Sequence, residues 1–132
     1  MRVSIEKQSD GTYIAYNTTG DRVTAIGTGD TVKEAKEDFL NSIEEIKSDY
    51  KDGASDAPEC LFENVEFSFD ISSLFEYYSV FNVSALGKYL GINPGLMRQY
   101  KKGDTPISDA QLEKIEKGIH RLANDLSALS LI

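Results

Sequence analysis

The chain has little of what disulfide-stapled proteins and most enzymes are built from: among 132 residues there are one cysteine, one histidine, three prolines and no tryptophan. Cys60 has no partner for an intramolecular disulfide and no companion thiols for a cysteine-based zinc site. His120 stands alone in a helical repeat, where an imidazole is a half-exposed packing group far more often than a catalyst. No apolar run approaches the roughly 20 residues of a membrane span. The opening MRVSIEK lacks the apolar stretch of a secretory signal, so the expected location is the cytoplasm, with no membrane partner. The sequons Asn17-Thr18-Thr19 and Asn82-Val83-Ser84 then carry no meaning. No glycine-rich phosphate cradle, nucleophile–base pair or cluster of metal ligands is visible, so neither an enzymatic activity nor a cofactor or metal is expected.

Basic residues are also scarce, with 14 Lys and Arg against 22 Asp and Glu for a net charge of -8. With 40% apolar and 27% charged residues the composition is that of an ordinary globular protein, long enough for one core or two small ones. The charge is unevenly placed. Residues 1 to 63 hold 14 acidic and 7 basic side chains, whereas residues 64 to 132 hold 8 and 7. Within the second half, residues 82 to 103 contain Lys88, Arg98, Lys101 and Lys102 and no carboxylate. A basic patch inside an acidic chain is the footprint of an anionic partner.

That window reads as a helix-turn-helix. Leu86 to Leu90 forms a short apolar-faced helix, Gly91 supplies a left-handed turn, and Asn93-Pro94 provides an N-cap followed by proline at the first helical position. Gly87 is small where two helices cross closely, and Ile92 plugs the angle between them. Met97 and Tyr100 recur at a buried spacing, and Gly103 ends the second helix.

The remainder reads as α+β, with a β-β-β-α-β domain over residues 1–70 and an all-α domain over residues 71–132. Arg2 to Glu6 alternates at period two, and Ser9-Asp10-Gly11 turns it into a second strand, Thr12 to Tyr16. A third strand is expected over Arg22 to Thr28. Thr31-Val32-Lys33-Glu34 is a capping box, after which Val32, Ala35, Phe39, Ile43, Ile46 and Tyr50 share one face of a helix of about 19 residues. A loop follows from Lys51 to Glu59. Val65, Phe67, Phe69 and Ile71 alternate with polar residues as a fourth strand. Ser72 to Val80 is expected as a connecting helix.

A capping box at Ser108 to Gln111 opens the last helix. Leu112, Ile115, Ile119, Leu122, Leu126 and Leu129 follow at spacings of 3 and 4, an a/d seam. Two uses are open: a dimer interface, giving a homodimer or higher even oligomer, or packing on the two preceding helices.

The residues from Leu86 to Gly103 resemble the Xre/Cro-like helix-turn-helix family. The first half, with Asp10-Gly11-Thr12-Tyr13 in its hairpin and Gly29 to Ala35 opening its helix, resembles the HicB antitoxin domain, a partial RNase H-like fold. Together the halves look like a HicB-like antitoxin over nearly the whole chain. The resemblance implies a type II antitoxin whose first domain binds and covers a small basic HicA-like mRNA endonuclease and whose second domain represses the operon by binding operator DNA. Carried onto this chain, the Xre-like pattern places Asn93, Gly95, Leu96, Arg98 and Gln99 toward bases and backbone, and Lys101 and Lys102 toward phosphates. Tyr13, Tyr16 and the sheet edge are the candidate toxin contacts. The chain departs from the family pattern after the second strand, where Asn17-Thr18-Thr19-Gly20 replaces a Pro-x-Pro-Gly-Cys-like stretch. A solitary helix-turn-helix regulator with a HicB-like sensing or protein-binding domain is therefore the alternative. A degenerate nuclease is a third reading, but such enzymes need several carboxylates converging from core strands on metal ions, and here Glu6 stands alone.

Overall fold

The computed structural model describes residues 1–50 and 54–132. The architecture is mixed α and β. Strands β1 (Arg2–Lys7), β2 (Tyr13–Asn17) and β3 (Ile26–Gly29) precede helix α1 (Val32–Ser48), a single 3-10 turn (Glu59–Phe62) and strand β4 (Glu66–Phe69). Helices α2 (Ile71–Tyr77), α3 (Val83–Leu90), α4 (Pro94–Lys102) and α5 (Asp109–Ala128) complete the chain. The molecule divides into two compact units, Met1–Ser79 and Val80–Ile132.

In the first unit the sheet order is β3-β2-β1-β4, antiparallel except where β4 lies parallel to β1. The β1–β2 turn forms because Gly11 reaches φ 88, and Asp10 Oδ1 accepts from both the amide and the hydroxyl of Thr12, at 2.9 and 2.6 Å. The Thr12 hydroxyl holds the Asp10 carboxyl below its ordinary value. Parallel pairing of β4 needs a crossover, which α1 supplies. Its capping box is formed as expected: Thr31 Oγ1 accepts from the Glu34 amide at 3.1 Å, and Glu34 Oε2 accepts back from Thr31 at 3.3 Å. The buried face of α1 is Val32, Ala35, Phe39 and Ile43, packed on Val3, Ile5, Tyr13 and Ala15 of the sheet. Residues Ser4, Glu6, Tyr16 and Ile26 alternate onto the opposite face.

The structure departs from the expected elements in particular places. α1 ends at Ser48 rather than near Tyr50, although Tyr50 still packs against the core. Of the expected loop from Lys51 to Glu59, residues 51–53 lie outside the described residues. Ile71 is not the last residue of β4 but the first of α2, because Asp70 Oδ1 accepts from the Ser73 amide at 2.8 Å and caps the helix there. α2 belongs to the first compact unit, so the packing division falls after Ser79, beyond the change of hydrophobic period near Ile71. β3 begins at Ile26, not Arg22. Val23 and Ala25 remain buried at period two, yet the partner of their backbone is a side chain: Asn17 Nδ2 donates to Val23 O at 2.8 Å and Asn17 Oδ1 accepts from the Ala25 amide at 2.9 Å.

In the second unit α3, α4 and α5 enclose a core of Val83, Leu86, Leu90, Ile92, Met97, Tyr100 and Ile115. Asn82 caps α3 through the Ala85 amide at 3.0 Å. Gly91 ends α3 at φ 73, letting the Ile92 amide donate back to Gly87 O at 2.8 Å. A Cβ on Gly87 would lie 2.9 Å from Met97 Cγ and 3.0 Å from Ile92 O, so a larger residue cannot stand where α3 and α4 cross. Gly103 ends α4 at φ 81. Among the described residues, no helix is long and apolar enough to cross a membrane.

Candidate functional site

Once the chain is divided after Ser79, its charge separates further than the half-and-half division of the sequence suggests. Residues 1–79 carry 17 acidic and 7 basic side chains, a charge of -10. Residues 80–132 carry 5 and 7, a charge of +2. α3 and α4 lie in the carboxylate-free stretch of this second unit.

α4 buries Met97 and Tyr100 and turns Arg98, Gln99, Lys101 and Lys102 to solvent. The 3.6-residue period causes this directly, since positions 97 and 100 share the inner face and the intervening residues must point away. Arg98 Nη1 donates to Ser84 Oγ at 2.9 Å, tying α4 to the first turn of α3 and fixing the guanidinium. Gln99 Oε1 accepts from Thr105 Oγ1 at 3.1 Å, which orients its amide. Asn93 Oδ1 accepts from the Gly95 and Leu96 amides at 2.8 and 3.2 Å. Its oxygen is committed to the cap, which makes Asn93 a positioning residue with only Nδ2 left to donate outward. Gly95 and Leu96 are half-buried at the start of α4. The expected residues are thus gathered on one helix, and the exposed polar ones form a continuous surface.

The six seam residues do not act alike. Ile115 is buried in the core of its own unit, and Ile119 and Leu122 are half-buried. Leu112 and Leu126 are exposed at 37% and 57%, and Leu129 at 53%. Leu129 adopts extended backbone just past the end of α5, so it does not continue the helical seam. Gly118 was the missed signal: a Cβ there would collide with Leu90 Cδ2, so this glycine is where α3 and α5 approach. Arg121 adds a second bridge, its guanidinium 5.3 Å from the Tyr89 ring and its Nε donating to the phenol oxygen at 3.3 Å.

The two tyrosines of β2 also separate. Tyr13, expected as an exposed anchor, is instead part of the core. Burial, followed by the Glu76 and Asp70 carboxylates, raises its phenol above the ordinary value. Tyr16 lies half-exposed on the opposite face, donating to Glu6 Oε1 at 2.7 Å, and that hydrogen bond raises its pKa in turn. Positions three apart on a strand cannot share a face. The sequence alone already excluded the pair from acting together.

Among the described residues no three His, Cys, Asp or Glu side chains come together as a metal site. No protein-family model, curated protein or solved structure matches this chain.

Proposed function

We propose that this chain is a HicB-like antitoxin and autorepressor, in which the second unit is an Xre/Cro-like helix-turn-helix that reads operator DNA and the first is a partial RNase H-like domain that binds a small basic toxin. The observation that carries the reading is the division of charge along the division of the fold: -10 on one unit and +2 on the other. Complementary potentials speed encounter and suppress wrong partners, so two such units favour two partners of opposite charge. α4 supports the DNA-binding half through an exposed face bearing Arg98, Gln99, Lys101 and Lys102 with no carboxylate. In this reading Gln99 pairs bidentately with adenine, exchanging its contact with Thr105 for the base, and Arg98 meets guanine or a phosphate through the guanidinium nitrogens not bonded to Ser84. The exposed Leu112 and Leu126, with the half-buried Ile119 and Leu122, support pairing of two copies through α5.

A short basic open reading frame adjoining this gene, and co-expression with its product, test the reading; absence of such a frame sinks the antitoxin role. The antitoxin role requires that the neighbour alone arrest growth and that this chain restore it and co-purify with it. Unchanged toxicity, with no complex formed, sinks that role. One observation favours a second reading, a solitary DNA-binding regulator. Asn17 to Gly20, where the family carries a different stretch, is occupied in internal hydrogen bonds with Arg2, Val23 and Ala25. Operator binding without any partner for the first unit is the outcome that reading requires.

A further inference from the structure

The sheet of the first unit has two edges, and they are treated differently. At β3 two of the outward backbone groups already have partners from α1: the Thr28 amide donates to Asp38 Oδ2 at 2.8 Å, and Ile26 O accepts from Ser42 Oγ at 2.9 Å. That edge is closed. β4 is the other edge, paired only with β1. The amides of Glu66 and Asp70 donate to Met1 O and Ile5 O, so by alternation the backbone groups of Phe67 and Phe69 point away from β1. Among the described residues no strand lies on that side.

The surroundings of this open edge are apolar and acidic. Phe69 stacks on Tyr77 at 5.7 Å and meets Tyr78 edge-on at 6.2 Å, and both tyrosines are exposed. From Glu59 to Gly87 the sequence has five carboxylates, Glu59, Glu63, Glu66, Asp70 and Glu76, and no basic residue. Lys36 of α1 sets its ammonium 4.5 Å from the Phe67 and Tyr77 centroids and donates to Tyr77 Oη at 3.2 Å.

We propose that β4 is the docking edge of the first unit, and that it accepts an extended, basic segment of another protein as a fifth strand, its apolar side chains against Tyr77 and Tyr78 and its cations toward Glu66. Backbone hydrogen bonds to Phe67 and Phe69 supply the pairing and the carboxylates supply selection. A second copy of this chain is disfavoured as occupant, because two units of charge -10 repel. The inference rests on the partner-binding half of the proposed function and places that contact at β4 rather than at β2.

The test uses the full chain and the product of a short basic open reading frame adjoining its gene; absence of any such frame overturns the antitoxin reading on which the inference rests. Amide exchange read by NMR should show Phe67 and Phe69 exchanging rapidly in the free chain and protected in the complex. Phe67→Pro removes one outward N–H without touching the β1 ladder, while Phe67→Val loses the same ring and keeps that N–H. The proline variant should bind on the order of tenfold more weakly than the valine variant. Equal binding by the two, or no added protection at Phe67 and Phe69 in a formed complex, overturns the edge assignment and leaves the antitoxin reading standing. Absence of any complex with the wild-type chain overturns both. Protection that appears on concentrating this chain alone replaces the basic partner with a second copy and overturns the proposal. Should the proline variant not fold, the exchange measurement on the wild-type chain decides.

Discussion

Asn17 does at the residue scale what a strand does at the element scale. Its side-chain amide supplies both a donor and an acceptor to the chain at Val23 and Ala25, so those residues keep strand-like alternation with no neighbouring strand among the described residues. Asn17→Leu should therefore cost roughly 1 to 3 kcal/mol for each partly buried group left unpaired. Asn17→Asp keeps the bond from Ala25 and should cost about half as much; equal losses in urea denaturation contradict this division. Gly27 sets a tighter limit. A Cβ there would collide with Phe39 N and Ala35 O, backbone atoms that cannot rotate away. Gly27→Ala should destabilise the first unit by about 3 kcal/mol or more, at the upper end of overpacking costs. Tyr13 gives a pH signature. Its folded pKa is raised, so its contribution is intact below the unfolded value of about 10 and is lost as pH rises from there toward the folded value. Thermal stability should fall above about pH 10, and Tyr13→Phe should flatten that fall.

Among the elements, α5 changes character along its length. Its first half is held to α3 through Ile115 and Gly118, whereas Leu126 near its end is exposed. A change confined to the exposed end separates dimerisation from folding. Leu126→Asp should keep the melting temperature within a few degrees and halve the mass measured by light scattering. A mass already that of one chain in the wild-type protein excludes the dimer. How far the elements could be read in advance follows from whether their determinants are local. The caps at Thr31, Asn93 and Ser108, the stops at Gly91 and Gly103, and the buried face of α1 depend on residues within a few positions of one another, and all were legible; the cap at Asn82, which starts α3 at Val83 rather than near Leu86, was equally local but was passed over. The start of β3 was not, because alternation reports burial and not the identity of the hydrogen-bond partner. Nor was the allegiance of α2, which is fixed by distant contacts such as Glu76 Oε2 accepting from the Val32 amide at 3.0 Å. Of the candidate site, α4 was readable from its own period. That Tyr13 lies on the buried face follows from strand alternation against Tyr16, which the reading of the two as a pair did not count, whereas the position of β4 at a sheet edge emerges only from the strand order.

At the scale of the whole molecule the account rests on charge: a unit of -10 and a unit of +2 in one chain. Neutralising that acidic unit with a basic partner removes a repulsion from DNA, so the complex should bind its operator more tightly than the free chain, and the difference should shrink as salt rises. A two-fold dimer would read half-sites about 34 to 36 Å apart, hence a pseudo-palindrome near the promoter. Lys101→Ala with Lys102→Ala should weaken binding to all sequences and flatten the log-log salt slope by about 0.9 per lost phosphate contact. Gln99→Ala should instead remove preference while leaving most non-specific affinity. The most direct test of the central claim is a fluorescence-anisotropy titration of the full chain, at moderate salt, on its own promoter and on a scrambled duplex of equal length. The account predicts a clear preference for the promoter that Gln99→Ala abolishes and the double lysine change does not. Equal affinity of the wild-type chain for both duplexes would contradict it.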